Sequence, residues 1–175
     1  MVAALVLTGA PGAGKSSVLD ALTTLLEVDG TAYGAIESEL FARGSPWLPA
    51  ADWLPQLRAV VALQREAGRE LLLVVATTET ADELRGVVEA LAADVLVAVC
   101  LDAAPDVVAA RIEQREPDAW PGKQALIENA RRLARRIPAI EGIDLVIETE
   151  GRSPVDVAGD VREELRARGV LPKAD

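Results

Sequence analysis

The segment Gly9-Ala10-Pro11-Gly12-Ala13-Gly14-Lys15-Ser16 constrains this chain more than any other. It stands between an apolar run, Val2 to Leu7, and an amphipathic stretch that opens at Lys15. The run has the character of a buried strand. Val18, Leu22, Leu25 and Leu26 recur along one face of a helix that continues to about Glu27. Glycines at 9, 12 and 14 let the backbone curl until successive N–H groups point inward, and the helix start adds the positive end of its dipole. Such a concavity takes an anion. The complete GxxxxGK[ST] pattern, in its strand–loop–helix setting, specifies the phosphates of a nucleoside triphosphate. Gly9 to Ser17 is the expected binding segment. Lys15 should reach the β- and γ-phosphates and the Ser16 hydroxyl should ligate Mg2+.

Downstream, apolar runs alternate with amphipathic ones. Thr31 to Ile36 follows the turn pair Asp29-Gly30. Leu71 to Ala76 and Ala93 to Leu101 are almost wholly apolar, and Leu145 to Ile147 is short. Helices are predicted over Asp52 to about Ala67, from the capping-box pattern Thr80-Ala81-Asp82-Glu83, from Pro105 to about Arg115, over Lys123 to Arg136, and from Ser153-Pro154-Val155-Asp156 to near Gly169. Strands that are apolar throughout belong to parallel sheets covered on both faces. The expectation is one doubly wound α/β domain over residues 1–175, with a five-stranded parallel sheet. Ligands of such sheets sit beyond the carboxyl ends of the strands, where the glycine loop falls.

Composition removes several functions. There is no histidine, so Ser-His-Asp catalysis is excluded and acid–base chemistry falls to carboxylates, lysine or water. The single cysteine, Cys100, can form neither an internal disulfide nor a CxxC metal site. A net charge of −10 argues against nonspecific nucleic-acid binding. No apolar run has the length of a membrane span. Met1 to Thr8 lacks the basic flank and the length of a signal peptide, so a cytoplasmic location is expected. The oligomeric state is not written in the sequence.

Three classes of nucleotide-binding protein compete. A GTPase switch is disfavoured because no Asn-Lys-x-Asp or Thr-Lys-x-Asp base-reading motif occurs. An ATPase without a small acceptor needs an acid at a strand end to hold the Mg2+ shell. Leu71 to Ala76 runs on into Thr77-Thr78, so this reading depends on Asp102, which its distance from Pro105 also suits to capping a helix. A small-molecule kinase has more support. Arg111 and Arg115 lie four apart on one helix face. A turn-rich insert, Glu116 to Gly122, follows, and then a helix with Arg131, Arg132, Arg135 and Arg136. Residues 111–136 carry seven basic and four acidic side chains in an otherwise acidic chain. A basic flap that closes over phosphates suits phosphoryl transfer.

The glycine loop, the Leu101-x-x-x-Pro105 link, the Arg111-x-x-x-Arg115 pair, the short insert and Thr149-Glu150-Gly151-Arg152-Ser153-Pro154 together resemble the P-loop small-molecule kinases. These include the shikimate, gluconate, adenylylsulfate and chloramphenicol kinases, with adenylate kinase more distant. The resemblance implies a P-loop NTPase three-layer α/β sandwich with a short helical lid at about 115–124, and use of ATP with Mg2+. It places Arg111 near the adenine, Arg115 near the phosphates, and Arg152 to Pro154 beside the base. No Asp-Gly-x-Pro-Arg segment follows the third strand, which sets the chain apart from nucleoside-monophosphate kinases. It also lacks the Gly-Gly of the shikimate kinase substrate loop. Thr77, Thr78 and Glu79 stand there instead, polar groups with no assigned partner.

Kinases of this kind often carry Asp-x-Asp after the second strand, where this chain has Glu37-Ser38-Glu39. A carboxylate there can orient the acceptor hydroxyl or take its proton. Glu37 is the candidate for that role, with Glu39 supporting it or Mg2+. Residues two apart share a face only if this stretch is extended. Of the five aromatic residues, Tyr33, Phe41, Trp47 and Trp53 surround this segment, and Trp120 lies in the lid. Trp47 and Trp53 are therefore candidates for acceptor contact, with Arg43 among them for an anionic group. The alternative is that the two tryptophans, with Pro46 and Pro49, staple a loop onto the following helix. The partners expected are a nucleotide and a small-molecule acceptor.

Overall fold

Successive residues of the central strand leave its two faces in turn, and each face is apolar, so helices must cover both. In the computed structural model, which describes residues 1–172, this strand is β1 (Ala3–Thr8). Ala3, Leu5 and Leu7 pack on α1 (Lys15–Val28) and on the last helix, α7 (Pro154–Ala167). Ala4 and Val6 face the opposite layer, formed by α3 (Ala50–Glu66) and α4 (Ala81–Leu91). Leu22 of α1, Leu57 of α3 and Leu91 of α4 are fully buried there. Burying a leucine stabilises the fold by roughly 1.5–3 kcal/mol.

The remaining strands are β2 (Tyr33–Glu37), β3 (Leu71–Val75), β4 (Val95–Asp102) and β5 (Leu145–Glu148). All pairings are parallel and the order is β2-β3-β1-β4-β5. After β1 the chain goes to the edge, returns through β3, and crosses to β4 on the far side. The carboxyl end of β1 is therefore the topological switch point, and the glycine loop emerges there.

α5 (Pro105–Arg115) and α6 (Lys123–Arg136) form a hairpin with its own apolar cluster, built around Val108, Ile112, Ile127 and Leu133. The sequence anticipated the strands and long helices to within about two residues at their ends. A short α2 (Glu39–Ala42) was not expected. One expectation needs correction, at Asp102. The lid segment Glu116 to Gly122 is turns and bends between α5 and α6, as its turn-rich sequence predicts, with helix only at its two flanks. Pro117 and Pro121 lack the N–H that a continuing helix requires. Asp102 does not cap α5, because it closes β4, and Ala104 occupies the cap position with no side-chain bond.

The predicted box at α4 is present. The Glu83 N–H donates to Thr80 Oγ1 at 3.2 Å. The Glu83 carboxylate reaches back to the Glu79 N–H at 2.6 Å, one residue beyond the usual partner. No helix among the described residues is long and apolar enough to cross a membrane.

Candidate functional site

At the carboxyl end of the sheet, Gly9, Gly12 and Gly14 all have positive φ, +142°, +82° and +98°. At Gly12 a Cβ would lie 2.7 Å from the Val108 carbonyl oxygen, so both the conformation and the space require glycine. Gly14 caps α1 without a side-chain bond, and the first turn holds no acidic residue. The N–H groups of that turn stay available to an anion. Lys15 is buried, and its Nζ donates to the carbonyls of Gly9 at 2.9 Å and Ala10 at 3.1 Å. Burial lowers its pKa below the usual lysine value. The negative charge of Glu39 opposes this, and Arg115 adds to it.

A cleft of about 1010 Å³ opens over the loop. Pro11, Gly12, Gly14, Lys15, Ser16 and Ser17 line one end, while Gly9, Ala10 and Ala13 lie behind them. Glu37 and Glu39 line the cleft next to the loop, Arg43, Trp47 and Trp53 line it further along the β2–α3 segment, and Arg115, Glu116, Pro117 and Trp120 approach from the lid. Glu37 ends β2, and its Oε2 accepts from the Ser16 hydroxyl at 3.1 Å. Glu39 begins α2, and its Oε1 accepts from the Thr77 hydroxyl at 2.7 Å. The stretch between the two glutamates is not extended, since Ser38 is αR. Both carboxylates nevertheless reach the cleft, because the chain turns there from strand into helix.

The Ser16 and Glu37 oxygens are hard donors, side by side at the phosphate end. They fit Mg2+, which takes few protein ligands and completes its shell with water and phosphate oxygens. No group of three or more potential metal-ligating side chains occurs among the described residues.

The two tryptophan roles separate. Trp53 is buried in the core with Leu57 and Val61, although it also borders the cleft. Trp47 is 60% exposed and stands at the cleft rim. The basic flap is smaller than the sequence implied. Arg115 lines the cleft, paired with Glu116 at 2.7 Å. Arg132 reaches Glu79 at 2.9 Å on the cleft wall. Arg131 pairs with Asp106 at 3.2 Å, and Arg135 and Arg136 are exposed elsewhere on α6.

Arg111 does not line the cleft. Its Nη1 donates to the Gly12 carbonyl at 3.2 Å and its Nη2 to the Thr149 carbonyl at 2.9 Å. Arg152 pairs with Asp160 at 2.6 Å and Pro154 begins α7, and neither lines the cleft.

Thr8 and Lys123 carried no signal in the sequence, and Thr78 stood out only as a polar group without a partner. Thr8 and Thr78 are fully buried and share a hydroxyl–hydroxyl bond of 2.8 Å. That bond ties the root of the glycine loop to the end of β3. Lys123 is buried at the base of the lid between Glu113 at 2.9 Å and Asp118 at 2.7 Å. These hydrogen bonds hold its pKa above the usual lysine value. Asp102 does not line the cleft, and burial raises its carboxyl pKa above the usual aspartate value.

No protein-family model matches the chain, and no curated protein matches it in sequence. Solved structures do match in fold. A sugar kinase from Janibacter sp. HTCC2649 superposes with a TM-score of 0.70 at 17% identity, covering 99% of this chain and 100% of its own. The APS kinase of Mycobacterium tuberculosis, solved with AMPPNP and APS, gives 0.65 at 20% identity, with 94% and 98% covered. A gluconokinase from Sinorhizobium meliloti 1021 gives 0.62 at 22%, with 94% and 96% covered. The fold is that of the P-loop small-molecule kinases.

Proposed function

We propose that this protein transfers the γ-phosphoryl group of ATP, with Mg2+, to a hydroxyl group of a small molecule. The carrying observation is that the glycine loop, both glutamates, Arg43 and Trp47 line one cleft, so donor and acceptor can be held side by side. The loop N–H groups and the α1 N-terminus hold the phosphates. Lys15 leaves its loop carbonyls for the β- and γ-phosphates, and Arg115 neutralises charge on the moving group from the lid. Ser16, with Glu37 beside it, would hold Mg2+, which would offset phosphate charge. Glu39, whose carboxylate is oriented by Thr77, faces the acceptor hydroxyl and takes its proton. This assignment exchanges the roles expected from the sequence, where Glu37 faced the acceptor and Glu39 supported it or Mg2+: Glu37 takes the metal side and Glu39 the acceptor side. It is supported by the Glu37 bond to Ser16.

Trp47 and Arg43 are proposed to contact the acceptor, and Trp53 to support them from the core. A base contact by Arg111, Arg152 or Pro154 would require these side chains to reach a nucleotide from beyond the cleft wall. On this reading residues 1–175 act as one domain with a lid at about 115–124, in the cytoplasm where ATP is supplied. ADP release with and without hydroxylated acceptors tests the proposal. Glu39→Gln should abolish acceptor-dependent release while ATP binding persists, and Glu37→Gln should raise the Mg2+ concentration needed. Acceptor-independent turnover that survives Glu37→Gln but collapses with Asp102→Asn would make the protein a hydrolysing ATPase instead.

A further inference from the structure

We propose that Thr149 is a positioning residue for the glycine loop, its hydroxyl fixing the Ala13 carbonyl so that the next N–H points at the triphosphate. The inference rests on the nucleotide half of the proposed function and is independent of the acceptor. A loop that turns N–H groups inward turns carbonyls outward, and buried carbonyls need donors.

Most of the donors for this loop are local. Lys15 Nζ serves Gly9 and Ala10, the Ala13 N–H serves Ala10 at 3.0 Å, and the Val18 N–H serves Gly14 at 2.9 Å. The carbonyls of Gly12 and Ala13 have theirs from far along the chain. Arg111 Nη1 reaches Gly12, and Thr149 Oγ1 lies 3.0 Å from the Ala13 oxygen.

Thr149 is 4% exposed and directly follows β5. Its N–H donates to the Asp102 carbonyl at 2.8 Å, which ties it to the end of β4. Its hydroxyl accepts from Arg111 Nη1 at 3.1 Å, and that occupies a lone pair. The one hydroxyl proton then faces two carbonyls, Ala13 and Asp102, the latter at 3.1 Å and already served by the Thr149 N–H. The proton is best used on Ala13. In a planar trans peptide C=O and N–H point in opposite directions. Anchoring the Ala13 carbonyl on Thr149 therefore aims the Gly14 N–H the other way, and Gly14 lines the cleft.

Isothermal titration of the full chain with ATP and Mg2+ tests this on T149V and T149S. T149V leaves the Ala13 carbonyl without its partner and should weaken ATP binding about tenfold. T149S keeps the hydroxyl and should bind within about twofold of the unaltered protein. Thermal melting without ligand checks that each variant folds. T149V binding like the unaltered protein overturns the inference, as does T149S binding as weakly as T149V. If T149V does not fold, Arg111→Met removes the donor that orients the hydroxyl. It should weaken ATP binding, and unchanged affinity overturns the inference. An unaltered protein that binds no ATP defeats the nucleotide reading and this inference together. One that binds ATP but turns over no acceptor defeats only the kinase reading.

Discussion

Thr77→Val separates a positioning role at the acceptor end from a purely structural one. The substitution keeps the branched shape and removes the hydroxyl that donates to Glu39 Oε1 at 2.7 Å. A hydrogen bond to a charged group contributes about 1.5–3 kcal/mol net. Glu39 is exposed, so water replaces part of the lost bond and the low end applies. Since about 1.4 kcal/mol corresponds to a factor of ten, acceptor-dependent turnover should fall about tenfold. Folding stability should fall by no more than about 1.5 kcal/mol, the bond's own contribution, because the carboxylate is solvated in either variant. The assay is coupled ADP release at saturating ATP, with thermal melting in parallel and Thr77→Ser as the variant that keeps the donor. Turnover in Thr77→Val equal to that of the unaltered protein, or no rescue by Thr77→Ser, would refute the reasoning.

Lys15→Met should abolish ATP binding, measured by titration. Burial lowers the Lys15 pKa in the folded protein, so between that value and 10.5 the unfolded chain binds the proton more tightly. Stability of the unaltered protein therefore rises with pH across this window, and Lys15→Met should lack that rise. Asp102→Asn should leave ADP release within about twofold, because the side chain does not line the cleft. Its folded carboxyl has a raised pKa, so the buried charge destabilises above that pKa, and the destabilisation disappears as pH falls through it. Asp102→Asn should accordingly melt higher than the unaltered protein at pH 7, with the gap closing in acid.

The sequence by itself determined most of the local structure, the short α2 excepted. The glycine loop, its lysine and serine, the strand before it and the helix after it are all encoded within the first 28 residues, because turn chemistry and apolar periodicity act over a few residues. The order and type of the later elements followed for the same reason. The turns of the lid were legible too, because Pro117 and Pro121 interrupt the helical context on either side. Tertiary structure decided which polar groups meet. Thr77 finds Glu39 across 38 residues, Glu79 finds Arg132 across 53, and Thr8 finds Thr78 across 70. Trp47 and Trp53, alike in sequence surroundings, separate into a rim residue and a core residue. The apolar pattern assigns a face to each strand but not its neighbour. Only the order β2-β3-β1-β4-β5 places the end of β3 beside both the glycine loop and the second glutamate.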